Sequence, residues 1–155
     1  MQFMSRCKRI LRFIPMIAVM IVIFIFSMMP ADQSDQTSGT LLDIVLSFVR
    51  KLKSGDISAE LAGSLHHFIR KGAHFTEYAV LGVTVMMAIW KEWKEEKWPL
   101  LLPLIISSFY AATDEIHQYF VPGRWGTWTD VIIDTAGAFT GIIIYYLISK
   151  KKTSR

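Results

Sequence analysis

An all-α integral membrane protein is the architecture to expect from this chain: a four-helix bundle of membrane spans with an additional interfacial amphipathic helix. Three observations carry that expectation. Hydrophobic residues make up 52% of the 155 residues, which suits a membrane protein better than a soluble domain of this length. Four apolar stretches, at about 13–29, 73–90, 100–119 and 130–149, are long enough to cross a hydrocarbon core of roughly 30 Å. Basic residues and tryptophans gather at their ends, where topology signals belong.

The elements follow in order along a single domain, 1–155. Residues 1–12 form a basic arm with Arg6, Lys8, Arg9 and Arg12. The stretch 13–29 has the basic front of a signal peptide. It ends in Met28-Met29-Pro30 rather than a small-residue cleavage site, so it reads as a retained span. Cys7 is the single cysteine, and no disulfide frames the fold. Residues 31–39 are polar and turn-rich, hence a loop. Thr40 with Asp43 suggests a capping box. Leu41, Leu42, Val45, Phe48, Val49 and Leu52 then recur at helical spacing. Carrying Arg50 and Lys51, this segment is too short to span and suits a helix on the membrane surface. Ser54-Gly55 ends it. A second helix starts near Ser58 and runs to about Trp93. Lys91 to Trp98 is a charged connection, and Pro99 opens a third helix reaching about Tyr119. Val121 to Gly126 is a tight loop, and a fourth helix runs from about Thr129 to Ser149.

Four spans put both termini on one side. Eleven of the 17 Lys and Arg residues lie in the arm, the 91–98 connection and the tail. The positive-inside rule makes that side cytoplasmic and the 31–70 segment extracytoplasmic. Trp90, Trp93 and Trp98 fall at the inner interface, and Trp125 and Trp128 at the outer one. The net charge of +4 is thereby topology information, and no nucleic-acid partner is implied.

Depth along the helices brings the ionisable residues into register. At 1.5 Å per residue, His74 and Glu77 stand about 24 and 20 Å above Trp90. Asp114 and His117 stand about 22 and 27 Å above Pro99, and Asp134 and Asp130 about 24 and 30 Å above Lys150. Three helices thus carry their charges in one layer near the outer leaflet. Arg70, His74 and Glu77 form one stripe at i, i+4, i+7, extended outward by His67. Tyr110, Asp114, His117 and Gln118 share a face, as do Asp130 and Asp134 with Gly137 and Gly141. Gly137 and Gly141 permit close packing. Lipid cannot satisfy the polar stripes, so they turn inward together.

Histidine beside carboxylates is the arrangement of a general base, so His74 and His117 are candidates for that role. No Gly-x-Ser-x-Gly nucleophile motif occurs. His74, Glu77, Asp114 and His117 make a divalent metal an open possibility, without a dense ligand motif. Arg70, Lys71 and Arg124 at the rim suit an anionic headgroup or phosphate. The plainer alternative is a structural network pairing Arg70 or Arg124 with Glu77, Asp114 or Asp134.

The blocks RKGAHFTEYAVLG at 70–82, DEIHQYFVPGR at 114–124 and DVIIDTAGAFTG at 130–141 resemble the VanZ-like membrane proteins, in the family's order. The resemblance covers about the second half of the chain. It implies site positions at Arg70, Lys71, His74, Glu77, Tyr78, Asp114, Glu115, His117, Gln118, Arg124, Asp130 and Asp134. Relatives often carry Asn at the last, so Asp134 adds a negative charge here. The family is named for an association with resistance to the glycopeptide teicoplanin, which implies a setting at the cell envelope. The expected function is therefore processing of an envelope lipid or lipid-linked precursor at this layer. A non-enzymatic protein holding a headgroup or partner is the second expectation. A small transporter would need ionisable groups continuing through the inner half, and none are found there.

Overall fold

The computed structural model describes residues 10–30, 39–40, 42–47 and 58–153, with side chains to 151. Four helices dominate, and no strand occurs among the described residues. They are α1 (Ile14–Ser27), α2 (Ala59–Trp93), α3 (Leu101–Gln118) and α4 (Trp128–Thr153). Arg6, Cys7, Lys8 and Arg9, the loop at 31–38, and Arg50, Lys51, Lys53, Ser54 and Gly55 at the end of the surface segment lie outside the described residues. Within that segment, residues 39–40 and 42–47 are helical. Its buried residue, Leu46, joins half-buried Leu42 and Val45, although the helical spacing had not placed Leu46 on the apolar face.

Helix ends follow local chemistry. The Ser58 hydroxyl accepts from the Leu61 N–H and caps α2, with Glu60 in the first turn, where the helix dipole favours an acid. Thr127 serves α4 in the same way: its Oγ1 accepts from the Asp130 N–H. The loop between α3 and α4 turns on Gly123, whose φ of 75° favours a residue without a side chain.

Two helices, α2 and α4, are long and apolar enough to cross a membrane on their own. The other two are shorter than the stretches expected at 13–29 and 100–119. α1 has 14 residues, roughly 21 Å of rise, and opens on Pro15 within its first turn. α3 has 18 residues and carries Asp114 and Glu115 in its last turns, which lowers its apolarity. At 35 residues, roughly 52 Å, α2 outruns a hydrocarbon core.

The backbone of α2 packs directly on that of α4. A Cβ on Gly82 would collide with the Ala138 carbonyl, one on Gly137 with the Phe75 carbonyl, and one on Gly141 with the Ala79 carbonyl. These contacts, with Trp90 edge-on to Tyr145 and Tyr146, make the two helices parallel neighbours. Tyr78, Leu81, Val85, Ala111, Ala138 and Ile23 form the core between the helices.

Polar ties fix α1 to this core. Arg12 makes a two-pronged ion pair with Glu92, at 2.6 and 3.1 Å. The Tyr110 hydroxyl donates to the Met20 carbonyl at 2.6 Å. Arg124 Nη2 donates to the Phe26 carbonyl at 3.0 Å. Arg12, Glu92 and Tyr146 therefore lie at one end of the bundle, and Phe26 and Arg124 at the other.

Candidate functional site

At the Phe26–Arg124 end, α2, α3 and α4 bring their ionisable side chains together. One turn of α2 supplies Lys71 and His74, and one turn of α4 supplies Asp130 and Asp134. The parallel packing sets the two turns side by side. Lys71 Nζ pairs with Asp130, and His74 Nδ1 lies 3.5 Å from Asp134 Oδ1. Asp134 is fully buried at 0% exposure, and neither of its oxygens receives a hydrogen bond among the described residues. Arg70 makes no ion pair among the described residues, although its charge reaches both Lys71 and Arg124.

α3 contributes two buried carboxylates on neighbouring faces. Asp114 Oδ2 accepts from Gln118 Nε2 at 3.0 Å, and Gln118 Oε1 accepts from Arg124 Nη1 at 3.2 Å. The buried Ser27 hydroxyl of α1 sits beside Asp114 without completing a well-formed hydrogen bond. Glu115 Oε2 accepts from the Thr127 backbone N–H at 2.9 Å, leaving Oε1 buried without a donor among the described residues. Gly126 makes this possible, since a Cβ there would strike the Glu115 carbonyl. Glu77 lies within electrostatic range of His74, Asp114, Asp134 and Arg124. In the loop, desolvation and the Arg70 charge lower the Arg124 pKa from its ordinary value, against the pull of Asp114, Glu115 and Glu77.

The His117 ring lies 4.8 Å from that of Phe24 on α1, with its Nε2 buried and without a hydrogen-bond partner among the described residues. Tyr78 is fully buried within electrostatic range of Asp114, Asp134 and Glu115, its ring 6.3 Å from that of Tyr110, and its hydroxyl has no hydrogen-bond partner among the described residues. The ligand-type atoms that do converge are those of His74, Glu115 and Asp134, all within 4.8 Å of one another. This differs from the set His74, Glu77, Asp114 and His117. Glu115 is one residue off the Asp114–Gln118 stripe, on the side of α3 that faces the start of α4. Thr127 and Gly126 were not anticipated, because their contribution is a backbone N–H and a missing Cβ.

Two apolar grooves border this layer, each touching one carboxylate. A groove of about 260 Å³ runs between α3 and the start of α4, lined by Ala112, Ile116, Phe120, Trp128 and Val131, with Glu115 beside them. A second, of about 290 Å³, lies between α1 and α2 and touches Glu77.

Comparison with known proteins agrees with the three sequence blocks. The VanZ/LLP1 family model matches residues 13–149. Neither the curated proteins nor the solved structures give a match.

Proposed function

From the premise that the chain belongs to the VanZ/LLP1 family, we propose that it is a multi-pass protein of the cell membrane with four spans and both termini in the cytoplasm. Its site lies near the outer leaflet and acts on an anionic envelope lipid or lipid-linked precursor. The charged head enters between Arg70 and Arg124, and the His74, Glu115 and Asp134 group activates the attacking water or hydroxyl. Altered susceptibility to teicoplanin is the resistance phenotype to look for.

The observation that carries this reading is the meeting of a buried ionisable layer with apolar grooves. Glu115 and Glu77 each border an apolar groove, of about 260 and 290 Å³ respectively. An amphiphile can lay its chain in such a groove while its head reaches the layer. Charge at this depth is costly and is retained where it serves a pathway or a reaction. Binding without chemistry is favoured by a different observation. Arg70 has no ion pair among the described residues, and a guanidinium at a rim can hold a phosphate by two hydrogen bonds without further steps.

The test is the lipid profile of cells expressing wild type, His74→Gln, Asp134→Asn or His117→Gln at equal membrane levels. A wild-type change in an anionic lipid or lipid-linked precursor should vanish with the first two and persist with His117→Gln. If His74→Gln keeps the full effect, the enzymatic reading fails. An anionic lipid that co-purifies with wild type and is released by Arg70→Gln would then support the binding reading.

A further inference from the structure

We propose that His74, Glu115 and Asp134 form a binding site for one divalent transition-metal ion. The inference deepens the reading above and rests on it only for the use of the ion. The donor set is one imidazole and two carboxylates from three helices, a combination that suits zinc or manganese.

Distances favour coordination over a hydrogen-bonded pair. At 3.5 Å, His74 Nδ1 and Asp134 Oδ1 are too far apart for a good N–H···O bond. Two ligand atoms in a tetrahedral zinc site, each about 2.1 Å from the ion, stand about 3.4 Å apart. Trans ligands of an octahedral ion such as manganese, each about 2.1 Å from it, stand about 4.2 Å apart, so small side-chain rotations close a set now spanning 4.8 Å.

Burial and charge point to a cation independently. Asp134 is fully buried with both oxygens unpartnered, and Glu115 Oε1 and His74 Nδ1 also lack hydrogen-bond partners among the described residues. Glu77, Asp114, Glu115 and Asp134 crowd one layer. Lys71 pairs with Asp130, and Arg124 bonds Gln118 and the Phe26 carbonyl; the charges of both reach Glu115, and that of Lys71 reaches Asp134, without an ion pair to either among the described residues. Unpaired buried carboxylates are costly, and a divalent ion offsets two of them at once. The support around the ligands is also in place. The Thr127 N–H holds Glu115 Oε2 and leaves Oε1 free to turn inward.

A bound ion would lower the pKa of a coordinated water and polarise a substrate oxygen. His74 would then serve as a ligand, and Glu77 or Asp114, the two carboxylates of the layer outside the ligand set, would take the proton.

The experiment uses the full-length protein purified in detergent, stripped with chelator and titrated with Zn²⁺ or Mn²⁺. Metal is counted by mass spectrometry and thermal unfolding is followed alongside. Wild type and His117→Gln should bind one ion per chain and unfold at a higher temperature with metal. Glu115→Gln and Asp134→Asn should bind at least tenfold more weakly and lose that upward shift. Unfolding of the metal-free variants shows whether they are folded. If a variant does not fold, Glu115→Asp serves in its place, expected to weaken binding in a protein that melts cooperatively. Wild-type binding no stronger than that of a His74→Gln/Glu115→Gln/Asp134→Asn triple variant overturns the site. So does equal weakening by His117→Gln. Metal binding with an unchanged lipid profile would leave the site standing and sink the catalytic reading alone.

Discussion

Lys71 and Asp130 show how a single ion pair steers the polar end. Their side chains are 17% and 9% exposed, so each depends on the other to offset lost hydration. Removing one partner should cost more than removing both. Lys71→Met is expected to lower stability by about 3–5 kcal/mol, and Lys71→Met/Asp130→Asn by less. Thermal or denaturant unfolding in detergent checks this, and a double variant as unstable as the sum of the singles would mean that the two groups do not interact. Much of this scale was legible beforehand. The stripe of His74 and Glu77 and the facing Asp130 and Asp134 follow from helical spacing and from the cost of charge in lipid. What was not legible is which carboxylate of α3 turns toward His74. A single step along a helix rotates a side chain by about 100°, and only the packing of α3 on α4 selects Glu115 over the Asp114 stripe. Thr127 was invisible for another reason: a backbone N–H carries no residue-type signal.

At the scale of the helices, three glycines decide the architecture. Gly137 and Gly141 could be read from their spacing as a packing face. Gly82 could not, because it lies within a continuous apolar run and shows its function only where α2 meets the Ala138 carbonyl. Gly63 makes the contrast. It sits exposed in α2, and a Cβ there meets nothing within 4 Å. Gly63→Ala should raise stability by about 0.5–1 kcal/mol through helix propensity. Gly141→Ala should lower it by about 1–3 kcal/mol, because the Ala79 backbone has to retreat. Unfolding midpoints of the two variants give the comparison, and equal effects would mean that α2 and α4 do not touch as described. The helix limits were legible where capping residues mark them, as at Ser58. In α1 and α3 the apolar stretches overrun the helices by one or two residues at each end, where the backbone closes its last turns.

Over the whole molecule, the ties Arg12–Glu92 and Arg124–Phe26 separate a basic end from a polar-layer end. The basic end carries Arg12, Lys91, Lys94, Lys97 and Lys150, and the polar end carries the candidate site. In the proposed topology, the positive-inside rule turns that separation into an orientation with the site facing outward. Access to envelope lipids depends on this orientation. One labelling experiment tests it most directly. In a Cys7→Ser background, Ser64→Cys and Glu96→Cys are treated with a membrane-impermeant thiol reagent in intact cells. Ser64→Cys should label at once, and Glu96→Cys only after the membrane is permeabilised. Labelling of Glu96→Cys in intact cells, with Ser64→Cys protected, would place the site on the cytoplasmic face and contradict an outer-leaflet function.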